Sequence, residues 1–267
     1  MNTPFRFWGR HDPHGRQKPD ILAEIAPADV NNDVATLRLY DPIDSYGDIW
    51  GVSAKEFQAA LDQVKDAKEI RLHINSPGGE VFEAVAIMNS LRAHPARVVA
   101  QVDGLAASAA SFIAASADEL VMSRNTTFMV HDAWGLCIGN AADMKQVAGV
   151  LDKLSDNIAS VYAEKAGGTL AAWREVMLAE TWYTADETVE AGLADRVDRP
   201  APADQEAAQD RFDLGIFQHA GRAEAPGPAS PAEQVGTVEQ EPNPYAARHG
   251  ARRHRLAAAR HRLPVTR

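Results

Sequence analysis

At 267 residues with 45% hydrophobic content, the chain is long enough for one sizeable domain, with residues left over for tails. Its single cysteine, Cys137, excludes an internal disulfide and any cysteine-based zinc cluster, and the formal net charge of −10 argues against a globally basic nucleic-acid binder. No stretch reaches the roughly 20 uninterrupted apolar residues of a membrane span, and the opening MNTPFRFWGRHDPHGRQKPD lacks an apolar signal-peptide core. A cytoplasmic protein without membrane contact is expected.

Residues 1–33 are polar and carry prolines apart from the short apolar ILAEIA, and are expected to form an N-terminal arm or edge segment. Order is expected from Val34. TLRLYDPI alternates as a strand, SAKEFQAALDQV opens with a serine three residues before Glu56 and continues at helical period, and EIRLHINSPGG predicts a strand ending in a turn. EVFEAVAIMNSLRAH predicts a helix with Val81, Val85, Met88 and Leu91 on one face, ARVVAQVDG a buried strand, and AASAASFIAASA a second helix. Strand-like ELVMS and TTFMVHDAW follow, then a long amphipathic helix from about Ala141 to Lys165 and a shorter one in LAAWREVMLAE. Strands alternating with helices imply an α/β domain over residues 34–198, a mostly parallel sheet with flanking helices.

Past Asp198 the composition shifts to Ala, Pro, Gln, Glu and Gly, with too few large apolar residues to build a core. Residues 199–267 are therefore expected to be a disordered tail. From Tyr245 onward it carries seven arginines and no acidic residue, which suits a solvated basic end or contact with an acidic surface or nucleic acid.

Four stretches can do chemistry. NSPGGE at 75–80 lies between a strand and a helix, where the backbone N–H groups of Gly78 and Gly79 can point into a crevice at a strand's carboxyl end. Ser108 follows a strand and falls near the first turn of an Ala-rich helix, where serine either caps the helix or acts as a nucleophile, with the N–H of Ala109 beside it. His131 ends TTFMVH and is placed to act as a general base, whereas His73 lies mid-strand and His94 in a helix-terminating AHPA. A carboxylate should orient the imidazole, and LAETWYTADETVEAGLADRV offers Glu180, Asp186, Glu187, Glu190 and Asp195 without choosing among them.

The order INSPGG, GLAASAAS, MVHDAWG and ETWYTADETVEAGLAD, spread over residues 34–198, resembles the ClpP family of self-compartmentalised serine peptidases. The phage-associated branch of ClpP-like head maturation proteases is the nearest likeness. The resemblance implies the ClpP/crotonase-type fold of repeated β-β-α units, Ser108 as nucleophile, His131 as base, and the backbone of Gly79 and Ala109 as oxyanion hole with Gly78 supporting the turn. The family's acid position falls on Glu180, where many members carry Asp, and Asp186 is the fallback. No cofactor or metal is implied. Implied partners are protein or peptide substrates, further copies in a ring, and phage scaffold or capsid proteins, or alternatively an AAA+ unfoldase; the setting would be the host cytoplasm or a procapsid. The N-terminal segment matches none of the family's axial-loop patterns.

Two other function classes share this fold. Crotonase-like enzymes hold a thioester enolate with a similar pair of backbone N–H groups but need no Ser and His in these places. A catalytically idle scaffold protein would need none of the reactive residues.

Overall fold

The structure is a computed structural model that describes residues 24–25, 33–46, 51–198, 212 and 214–228. In chain order these form β1 (Glu24–Ile25), β2 (Val34–Leu39), α1 (Ala54–Gln63), β3 (Glu69–Ser76), α2 (Val81–Ala93), β4 (Arg97–Ala107) and α3 (Ala109–Ala115). Then come β5 (Glu119–Ser123), β6 (Thr127–Val130), α4 (Ala141–Ala166), α5 (Leu170–Leu178), β7 (Thr181–Thr184), α6 (Ala185–Glu190), β8 (Arg196–Asp198) and a 3₁₀ turn at Leu214–Ile216. The expected α/β architecture is present. The expected N-terminal arm and the basic end from Tyr245 fall almost wholly outside the described residues.

The sheet runs β1-β2-β3-β4-β5-β8. Its pairings are parallel except for β1 with β2 and β6 with β7. Strand β4 organises the site because it serves two partners in turn. Val99–Val102 pair with β5, and Leu105–Ala107 with β6. A register shift between Ile74 and Ser76 on β3 accompanies the change. The carboxyl ends of β3, β4 and β6 thereby meet at one place, where parallel sheets present their ligands.

Local sequence explains most elements. Ser53 and Glu56 form the expected capping box at the start of α1. Ala35, Leu37 and Leu39 alternate into the core from β2. On α2 the buried stripe is Ala84, Ile87, Met88 and Leu91, with the expected Val81 and Val85 partly buried beside it. Helix α4 is 26 residues long, about 39 Å at helical rise. Its buried residues all lie from Ser155 onward, while Met144 and Val150 are exposed. Of the apolar residues at helical spacing along this helix, Met144 is exposed and Val147, Leu151 and Leu154 are only partly buried, so they are not core. The short strands β7 and β8 escape a reading by alternation because three or four residues carry too little period.

Residues 214–228 depart from the expectation of a coreless tail. Phe217 is buried in a small cluster with Leu105, Ala107, Met129 and Trp182, against which Phe212, Leu214, Ile216 and Ala225 also pack. Four large apolar residues in FDLGIF are too few to fold alone, but they suffice to cover an apolar spot already built by the sheet.

Phe57 of α1 is fully buried in the core whereas Phe82 of α2 is 69% exposed. Phe57→Ala should therefore cost about 3–5 kcal/mol and Phe82→Ala close to nothing, as read from denaturant midpoints at equal m-values.

Candidate active site

Ser108 joins the end of β4 to the start of α3 with φ 52 and ψ −123, and its side chain makes no capping bond. A helix cap would take extended angles and accept from the first turn, so the capping role does not describe this residue. Positive φ is uncommon for a residue with a Cβ and is held here by its surroundings. The Ser108 N–H donates to Met129 O at 3.0 Å, and its carbonyl accepts from Ser111 N at 3.0 Å and Ser111 Oγ at 2.5 Å. Ser111 is itself fully buried and bonded to Tyr162 Oη at 2.7 Å.

His131, just past the end of β6, places Nε2 2.7 Å from Ser108 Oγ. That is a direct proton-transfer distance. Burial pushes the imidazole below the ordinary histidine value, and the negative charges of Glu180 and Asp132 oppose the shift without cancelling it. His73 and His94 are engaged elsewhere: His73 Nδ1 lies 2.7 Å from Asp103 Oδ2, and His94 Nδ1 accepts from Ala96 N at 3.1 Å.

The Asn-Ser-Pro-Gly-Gly turn closes the other side. Asn75 Oδ1 accepts from Leu105 N, and Ser76 Oγ donates to Asp41 O while accepting from Gly78 N at 3.1 Å. Gly78 has φ 85, and a Cβ there would lie 2.6 Å from Ala107 O and Ala109 N and 2.9 Å from Ser108 Cβ. Only glycine lets the turn approach the serine this closely. Because the Gly78 N–H is spent on Ser76, Gly78 shapes the turn rather than lending a donor. Among the described residues the N–H groups of Gly79 and Ala109 have no partner, as needed for donors that await an anion.

The acids sort by contact. Asp186 and Glu190 are exposed on α6, Asp195 accepts from Leu120 N and Lys165 Nζ, and Glu187 caps α6 and pairs with Arg222. Glu180 alone is buried, at 7% exposure, with φ 50. Its carboxylate accepts from Trp182 Nε1 at 3.1 Å, Gln218 N at 2.7 Å and His219 N at 2.8 Å. Neither a hydrogen bond nor a salt bridge joins it to His131 in this structure. Sequence reasoning reached Ser108, His131 and Glu180 but missed three features. Phe217 sits edge-on to His131 at 5.5 Å, the amides of residues 218 and 219 hold Glu180, and Arg174 bridges Asp132 to Asp152 and Asp156 of α4. Arginine and aspartate spaced this far apart in sequence give no local signal.

Residues 49–200 match the family model described as Clp protease. The chain belongs to the Clp protease family. It is 31% identical over 141 residues to ATP-dependent Clp protease proteolytic subunit 1 of Protochlamydia amoebophila, a match covering 51% of this chain and 68% of that protein. Over 190 residues it is 29% identical to the ATP-dependent Clp protease proteolytic subunit of Bacteroides fragilis, covering 68% and 91%. The subunit of Streptococcus pneumoniae is 30% identical over 141 residues, covering 51% and 72%. The chain is thus a serine-type endopeptidase of the Clp class rather than a crotonase-like enzyme. Among the described residues no helix is long and apolar enough to cross a membrane, and no group of three or more metal-ligating side chains comes together.

The His131 ring should titrate below 6.5, read from the pH dependence of its Cε1 proton resonance. Asp132→Asn should lower it further, because it removes one of the two negative charges that favour the imidazolium.

Proposed function

We propose that this Clp-family peptidase cleaves peptide bonds with Ser108 as nucleophile, His131 as general base and acid, and the N–H groups of Gly79 and Ala109 as oxyanion hole. The observation that carries the proposal is the 2.7 Å approach of His131 Nε2 to Ser108 Oγ on a residue whose strained backbone serves no capping purpose. Ser108 Oγ attacks the substrate carbonyl as its proton passes to His131 Nε2, and the carbonyl oxygen becomes the oxyanion held by the two N–H groups. His131 then gives the proton to the leaving amine, and water repeats the sequence to release the acyl group. A base whose pKa is depressed by burial is unprotonated, and so competent to accept that proton, at neutral pH. Glu180 is the acid that would orient His131 and stabilise its cation.

We further propose that copies assemble into a ring. Leu136 and Ile138 at 72% and 88% exposure, followed by the exposed Met144 and Val150 at the outer half of α4, form an apolar surface of the kind that a second copy covers. The physiological task proposed is maturation of a phage or prophage head, with scaffold or capsid proteins as substrates. Its support is the long chain beyond the family-matched residues 49–200 with its arginine-rich end, suited to tethering at an acidic surface. A second reading, the proteolytic subunit of an ATP-dependent protease fed by an AAA+ unfoldase, is favoured by the names of the relatives. Cleavage of coexpressed scaffold or capsid protein without ATP would favour the first; degradation of a folded substrate only with an unfoldase and ATP would favour the second.

A fluorophosphonate probe should label Ser108 and fail on Ser108→Ala, while His131→Ala should lose on the order of 10³-fold or more in peptide hydrolysis with the fold retained. Undiminished hydrolysis by Ser108→Ala would end the assignment. Light scattering should give a mass several times that of one chain, reduced by Ile138→Asp with Val150→Asp.

A further inference from the structure

The antiparallel pairing of β6 with β7 puts Phe128 opposite Tyr183, Met129 opposite Trp182 and Val130 opposite Thr181. Just past the last pair stand His131, after β6, and Glu180, before β7, whose φ of 50 ends the extended register, and the Glu180 charge is felt at the imidazole. They do not bond. The Glu180 carboxylate instead receives Trp182 Nε1 and the backbone N–H groups of Gln218 and His219. The segment supplying those N–H groups is tied down on both sides. Phe217 packs edge-on against both His131 and Trp182, with centroids 5.5 Å apart in each case. Arg222 binds both carboxylate oxygens of Glu187 on α6, Nε at 2.7 Å.

We propose that residues 214–222 form an autoinhibitory strap: its Gln218 and His219 amides hold Glu180 off His131 while Phe217 covers the imidazole, so the Ser108–His131 pair gains its acid only when the strap leaves. The proposal rests on the catalytic assignment above. With the strap in place, His131 can receive the Ser108 proton on Nε2, but the imidazolium so formed has no carboxylate on Nδ1–H. With the strap gone, Glu180 loses two donors, stays anchored beside the β6–β7 pair next to His131, and accepts from Nδ1–H. No chemistry other than the proton transfer already described is involved. The occupant of the groove is a segment of the chain itself, and a carboxylate offered two adjacent backbone N–H groups is a strong, charge-assisted anchor for it.

The test uses the full-length protein, Arg222→Ala, which frees the anchor without touching the core, and Gln218→Pro and His219→Pro, each of which deletes one N–H donor. Rates of fluorophosphonate labelling and of fluorogenic peptide hydrolysis should rise at least about tenfold in the strap variants. Adding Glu180→Gln to Arg222→Ala should cancel the gain. Equal or slower labelling in folded strap variants, with Ser108→Ala unlabelled, would overturn the strap and leave the catalytic assignment standing. A gain that survives Glu180→Gln would also overturn it. Labelling that persists in Ser108→Ala would overturn the catalytic assignment, and the strap with it.

Discussion

The strand-to-helix junction at Ser108 is the constraint on which the site depends. A residue with a Cβ at φ 52 sits in a sparsely populated region that costs of the order of 1–3 kcal/mol and persists only when its neighbours over-determine it. Here they do. The Met129 carbonyl fixes its N–H, buried Ser111 fixes its carbonyl, and Gly78 closes against its Cβ with no room for a methyl group. Strand β4 can supply this junction because it changes partner from β5 to β6 partway along. The turn after β3 and the histidine after β6 are thereby brought to the same carboxyl end.

Around that junction the charges are few and individually placed. The imidazole is desolvated, which lowers its basicity, and two carboxylates restore part of it. Asp132 is not free to move toward the ring, because Arg174 holds it and ties the strand end to α4 and α5. Glu180 is held differently: its partners are one indole N–H and two backbone N–H groups of a segment far along the chain. The segment's few apolar contacts are offset by the entropy of ordering it. None of its contacts among the described residues is a sheet pairing, so the release proposed above would leave the sheet intact.

Helix α4 divides the molecule's two tasks. Its second half, from Ser155 to Tyr162, packs into the core and supports α3 through the Tyr162 to Ser111 hydrogen bond. Its first half stands away from the core with apolar side chains exposed, the surface proposed to meet another copy. Arg174 of α5 binds one aspartate from each half, Asp152 and Asp156, and also Asp132 next to His131.

Much was legible in the sequence. The capping box at Ser53, the alternation of β2, the Pro-Gly-Gly turn and the small residues around Ser108 are local signals, each determined by backbone sterics or by periodic burial within a few residues. They established the α/β class and, taken in order, the family, and they pointed to Ser108 and His131 as the candidate reactive pair. The tertiary structure decided what depends on partners distant in sequence. It spends the Gly78 N–H on Ser76 and, among the described residues, leaves the Gly79 and Ala109 N–H groups unpaired, and of the five acids that spacing left level it buries only Glu180. It also carries Phe217 and the two amides after it back across the sheet to His131 and Glu180. Composition could count the few large apolar residues of that segment but not their destination, because they are buried against Leu105, Met129 and Trp182, a surface that other parts of the chain supply.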